Sequence, residues 1–154
     1  MNVKRKAVMF LATGCFVGYI PFAPGTFGTG LGIPLSFFLS KIDLSFAILF
    51  TVVLILSAIW IAGEAEKIIE QKDPGAIVID EIVGFVITLL GLPFNLLTVA
   101  AGFLIFRGLD IFKPYPIRLF EKKLSGGAGV VMDDVVAGIF SNLILRVLVN
   151  VIVP

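Results

Sequence analysis

The sequence predicts an all-α fold, a polytopic membrane helical bundle with broken or re-entrant helices and short interfacial ones, in a single domain over residues 1–154. Three observations predict it. Apolar residues make up 58% of the chain and charged residues 15%, whereas soluble chains hold roughly 45–50% apolar residues. Mean hydropathy is +1.09. The charges are confined to short stretches between uncharged runs at residues 7–40, 44–63 and 82–106, which is the pattern of segments that enter a bilayer.

Taken in order, residues 7–20 are apolar, and as a helix they reach only ~21 Å at 1.5 Å per residue, short of the ~30 Å hydrocarbon core. An interfacial or partly inserted helix is expected. Residues 21–29 hold two prolines and two glycines and are read as a structured loop at membrane depth, a backbone tolerated only where it is buried in protein or lines a wet cavity. Residues 30–40 form a helix candidate closed by the polar turn at 41–43. Residues 44–63 are a twenty-residue uncharged run, the clearest transmembrane span. Residues 64–72 turn polar and emerge into water until Asp73, Pro74 and Gly75 stop the helix.

The uncharged run at 82–106 is interrupted near its middle by Gly91-Leu92-Pro93-Phe94. Each half is shorter than a normal span, so a broken or re-entrant pair is expected, with both ends on one side. That return brings Asp80 and Asp110 together. Pro114 and Pro116 end the second half, and residues 117–124 alternate apolar and basic side chains, as suits a helix lying on anionic lipid. A glycine turn at 125–129 precedes Asp133 and Asp134, which open the last apolar helix, residues 135–153. Within it Asn142 and Arg146 stand one turn apart, and Arg146 is expected to snorkel to the interface.

Net charge is +1, with no basic domain to suggest nucleic acid. Lys4, Arg5 and Lys6, with the five cations between Arg107 and Lys123, mark cytoplasmic segments. The basic start followed by an apolar run is like a signal peptide, but no cleavage signal with a polar mature segment follows, and the segment is expected to stay in the mature protein. One cysteine, Cys15, excludes an intrachain disulfide. The chain has no histidine. This removes Ser-His and Cys-His nucleophile pairs and His-ligated zinc, and leaves carboxylates, Lys, Arg, hydroxyls and bound metal.

Arg107, Asp110 and Lys113 recur every third residue and so neighbour one another along a helix face. A carboxylate flanked by two cations suits a metal ion and a phosphate sharing one site. Asp80, Glu81, Asp110, Asp133 and Asp134 all abut apolar segments and converge on one membrane face. Together they read as a hard-cation site for Mg²⁺, with open positions for water and phosphate. Arg107 and Lys113 then neutralise transferring oxygens, and Thr26, in the proline-glycine segment, is a further candidate phosphate contact. Two other readings stay open here. Asp133 and Asp134 suit a helix N-terminus without any metal, and acids beside broken membrane helices also serve ion or proton pathways in non-enzymatic proteins.

The stretches PFAPGTFGT (21–29), DPGAIVIDEIVG (73–84), FRGLDIFKPYPI (106–117) and GGAGVVMDDVVAG (126–138) resemble the phosphatidylglycerophosphatase A family, in this order and at similar spacing. The resemblance covers nearly the whole of residues 18–138. It implies a Mg²⁺-dependent phosphatase of the bacterial inner (cytoplasmic) membrane that converts phosphatidylglycerophosphate in the bilayer to phosphatidylglycerol. Carried over residue by residue, it points to Asp80, Glu81, Arg107, Asp110, Lys113, Asp133 and Asp134.

Overall fold

A computed structural model describes residues 3–152, with the side chains at 121, 122, 151 and 152 outside the description. Among the described residues there are seven α-helices and no strand. The helices are α1 (Val3–Ala12), α2 (Pro24–Leu39), α3 (Leu44–Ile69), α4 (Ile79–Leu89), α5 (Leu96–Phe112), α6 (Ile117–Lys123) and α7 (Gly127–Ile152). The membrane helical bundle expected from composition is the architecture found. By length and apolarity, two helices can cross a bilayer: Leu44–Ile69 and Gly127–Asn150.

The helix α3 carries the twenty-residue uncharged run and continues without a break through the polar segment after it. Asp43 starts it by accepting from the Ser45 N–H at 2.8 Å, and Glu70, at φ 59°, ends it. Phe46, Leu49, Leu56 and Trp60 on its outer face are exposed, as befits a helix that meets lipid rather than a second protein layer.

The break at 91–94 is real. The helix α4 ends at Leu89, Gly91 takes φ +69°, and Asn95 caps α5 by accepting from the Thr98 N–H at 2.9 Å. The two halves share the inside of the bundle unequally. From Val83 to Leu89 every residue of α4 is buried, so α4 is an internal half-helix enclosed by α2, α3, α5 and α7. One core cluster joins α1, α3, α4 and α7 through Met9, Ala62, Val83 and Val131. A second joins α4, α5 and α7 through Phe85, Phe106, Ala137 and Leu145.

Close approach of α4 to α7 depends on glycine. A Cβ on Gly138 would fall 2.4 Å from the Gly84 carbonyl oxygen, so only hydrogen fits between the two backbones.

Four boundaries differ from expectation. The helix α3 stops at Ile69, before Asp73, Pro74 and Gly75 are reached, because Glu70 turns into the left-handed region. The proline-glycine stretch is a loop only to Ala23. Pro24 opens α2 at its first position, where a missing N–H costs nothing, and Gly25 and Gly28 lie inside the helix. The N-terminal helix is shorter than the apolar run and gives way at Thr13–Phe16 to a 3-10 turn, Val17–Tyr19. The helix α7 starts at Gly127, earlier than Asp133 and Asp134, because the glycines there pack tightly on α3 instead of forming a free turn. A Cβ on Gly127 would fall 1.8 Å from the Ile59 carbonyl oxygen. Val153, placed at the end of the last helix, lies outside the described residues.

Candidate active site

Four helix ends meet at the charged end of the bundle. Asp80 and Glu81 occupy the first turn of α4. Arg107 and Asp110 are in the last turns of α5, and Lys113 is its C-cap at φ 43°. Asp133 and Asp134 lie in the second turn of α7. Gly25 and Thr26 lie in the first turn of α2. The broken helix therefore does what its sequence promised, returning the chain so that the start of α4 and the end of α5 share one site.

One carboxylate oxygen from each of Asp80, Glu81 and Asp134 lies within 4.8 Å of the others. Asp80 and Asp134 are buried, at 8% and 3% exposure. Arg107 Nη1 donates to Asp110 Oδ2 and stands 3.9 Å from Glu81 Oε1, while Lys113 Nζ donates to Asp133 Oδ2 at 2.6 Å. The two cations thus tie α5 to both acidic pairs. Burial, then the charges of Glu81 and Asp134, hold the Asp80 carboxyl well above the usual carboxylate range. Burial also raises Glu81, against the lowering effects of Asp80 and Arg107.

Several polar atoms in this cluster have no hydrogen-bond partner. Asp80 Oδ1, Glu81 Oε2 and Asp133 Oδ1 are buried acceptors without a donor, and Arg107 Nε is a buried donor without an acceptor. An unmet buried polar group is costly. Unmet acceptors on Asp80 and Glu81, two of the three acids close enough to share an ion, match a hard cation, and an unmet guanidinium N–H matches a phosphoryl oxygen. Among the described residues, the group suited by position to hold a metal ion is Asp80, Glu81 and Asp134.

The helix-cap reading of Asp133 and Asp134 does not survive their position. They stand beyond the first turn of α7, six residues after Gly127, where capping no longer applies. Asp80 is no cap either, since Val78 holds the N-cap position of α4 without a side-chain bond.

Gly25 belongs to the site although residue type alone gave no reason to choose it. A Cβ there would fall 2.1 Å from Glu81 Oε1 and 3.2 Å from Arg107 Nη1, so the start of α2 rests directly on the pair. The signal was its place after Pro24, at the first turn of a helix, where backbone N–H groups remain unpaired. Thr29, by contrast, donates to the Gly25 carbonyl at 2.8 Å and is spent within α2.

Phosphatidylglycerophosphatase A is the family model that matches this chain, over residues 10–149. The chain belongs to that family. It is 40% identical over 136 residues to phosphatidylglycerophosphatase A of Escherichia coli K12, covering 88% of this chain and 79% of the relative. It is 35% identical over 140 residues to phosphatidylglycerophosphatase A of Haemophilus influenzae, covering 90% and 86%. It is also 40% identical over 155 residues to a Bacteroides thetaiotaomicron protein assigned provisionally as a phosphatidylinositol-3-phosphatase, covering 94% and 96%. No solved structure matches. As a phosphatidylglycerophosphatase A family member the chain is a lipid phosphatase, a phosphoric monoester hydrolase of the membrane, and its acidic cluster is consistent with a divalent metal.

Proposed function

We propose that this enzyme hydrolyses phosphatidylglycerophosphate to phosphatidylglycerol and inorganic phosphate, with Mg²⁺ as its metal, at the cytoplasmic face of the bacterial inner membrane. One observation carries the reading: buried carboxylate oxygens of Asp80, Glu81 and Asp133 without partners, beside an equally unpartnered Arg107 N–H. Asp80, Glu81 and Asp134 would hold the ion, with Asp110 and Asp133 completing the acidic set. Bound there, Mg²⁺ supplies positive charge against the phosphoryl oxygens and acidifies water.

The protein's own residues do the rest. Arg107 offers its free N–H, and Lys113 its ammonium, to the phosphoryl oxygens, which spreads the charge that grows there as the ester bond breaks. Thr26, in the first turn of α2 beside Gly25, would add a hydroxyl. In this reading water adds to phosphorus and the phosphorus–glycerol oxygen bond breaks; a carboxylate of the acidic set takes the proton released by water and returns it to the leaving glycerol oxygen, which becomes the hydroxyl of phosphatidylglycerol. The buried surroundings strengthen each of these charge interactions. In this reading the lipid stays in the bilayer, because the acids stand near the starts of two apolar helices, α4 and α7.

The face is assigned from charge. Lys4, Arg5 and Lys6 and the five cations from Arg107 to Lys123 flank the acidic cluster, and such segments stay in the cytoplasm. The relatives' names favour phosphatidylglycerophosphate over an inositol lipid, two against one. Phosphate release from phosphatidylglycerophosphate in mixed micelles, with Mg²⁺ or with EDTA, tests the reading. Release that depends on Mg²⁺ is expected. Release unaffected by EDTA, or release from phosphatidylinositol 3-phosphate alone, overturns it.

A further inference from the structure

The C-terminal end of α4, far from the acids, is held by two polar side chains of α7 that the reaction does not use. Asn142 Nδ2 donates to the carbonyl oxygens of Ile87, Thr88 and Leu90, at 3.1, 3.0 and 3.0 Å. Arg146 Nε donates to Asn142 Oδ1 at 2.8 Å and its Nη2 donates to the Leu90 carbonyl at 3.0 Å. The guanidinium therefore fixes which way the amide faces and adds a donor of its own. The last carbonyls of a helix have no partner within it, and in an apolar layer water cannot supply one.

A regular register runs from this clamp to the acids. Thr88 and Asn142 are 54 residues apart, and the same offset relates Gly84 to Gly138 and Asp80 to Asp134. The two helices run parallel and meet at one-turn intervals: acids first, then the glycine contact, then the clamp. The glycine contact admits no movement toward closer packing, since a Cβ on Gly138 would already stand 2.4 Å from the Gly84 oxygen. Clamp and acids each lie one turn, ~5.4 Å, from that contact, so the clamp holds the same short helix that carries Asp80 and Glu81, two turns from them.

We propose that Asn142 and Arg146 are positioning residues for the metal cluster: by fixing the end of α4 on α7 they set the spacing of Asp80 and Glu81 from Asp134. Mg²⁺ demands near-ideal oxygen geometry at ~2.0–2.1 Å, so a shift well under 1 Å at the acids is felt. The inference rests on the metal reading above and goes beyond it.

The test uses the full chain purified in detergent micelles, with Mg²⁺ binding measured by calorimetry at a temperature where every variant is fully folded. Asn142→Ala is expected to weaken Mg²⁺ binding by up to about 10-fold, the low end of what loss of a direct partner of a metal ligand costs, since Asn142 acts through α4 and touches no ligand itself. Arg146→Ala leaves the Asn142 amide in place and should weaken binding less, with Arg146→Lys returning toward wild type because an ammonium still donates. If Asn142→Ala does not fold, the two Arg146 variants carry the test. Wild-type affinity in folded variants, whatever their melting temperatures, overturns the inference alone and leaves a structural clamp. A wild-type protein that binds no Mg²⁺ overturns the metal reading, and this inference with it.

Discussion

Lys113 Nζ lies 2.6 Å from Asp133 Oδ2, joining the end of α5 to the second turn of α7. From sequence, Lys113 was expected to serve substrate and not packing, and the pair revises this. Lys113→Ala removes a phosphate contact and also strips a buried carboxylate of its cation. Breaking a buried pair costs up to about 3–5 kcal/mol, and since Lys113 is partly exposed the expected loss is at the low end or below. A raised Michaelis constant for lipid, measured with Mg²⁺ present, and a lowered melting temperature, measured without it, are both predicted. Unchanged values of both would remove Lys113 from the site.

Gly138→Ala should destabilise the bundle although alanine is the better helix former. The intrinsic gain is ~1 kcal/mol, whereas forcing a methyl against the Gly84 carbonyl costs ~1–3 kcal/mol or more. Denaturant unfolding in micelles measures the difference. A variant as stable as wild type would show that α4 and α7 are not in backbone contact.

Removal of divalent ions should lower thermal stability at neutral pH. Burial and mutual repulsion disfavour the ionised form of Asp80, so the empty site carries charge that the fold resists, and a cation bound to the folded form offsets it. Restoring Mg²⁺ at about 100 times its dissociation constant is predicted to return ~2.7 kcal/mol. Melting curves in EDTA and in Mg²⁺ that coincide would argue against a folded-state metal site.

The membrane face is open to direct labelling. Ser125, exposed between α6 and α7, should be cytoplasmic if the positive segments are. In intact cells, Ser125→Cys in a chain whose Cys15 is replaced by Ala should resist an impermeant thiol reagent and react after the membrane is opened. Ready labelling from outside reverses the topology.

Much of the site was legible because charge in an apolar chain is informative. Asp80 and Asp110 could be placed together from the Gly91 to Pro93 break alone, since a helix broken at mid-length returns its ends to one side. Arg107 and Asp110 do pair along one helix face, but Lys113, the C-cap of α5 at φ 43°, leaves that face and reaches Asp133 instead. Illegible features were those decided by long-range packing. Nothing local says that Gly127 belongs to a helix, because its reason is the α3 backbone beside it, and the start of the last helix, expected at Val135, was therefore placed eight residues too late. Pro24 was taken for part of a loop when it is the first residue of a helix, a position where proline is favoured. Arg146 was expected to reach for the interface. It does remain exposed, yet its guanidinium is turned onto Asn142 and Leu90, partners known only once α4 and α7 lie side by side.

Asp80, Glu81 and Asp134 are proposed to work through a shared divalent ion, and one conservative substitution separates that role from a structural one. Asp134→Asn keeps the side chain's size and removes the charge a hard cation needs. It relieves buried repulsion, so the fold should persist. Phosphate release from phosphatidylglycerophosphate, measured at saturating Mg²⁺ in mixed micelles on protein shown to be folded, is predicted to fall at least ~100-fold. Near-normal turnover by the folded variant would contradict the account.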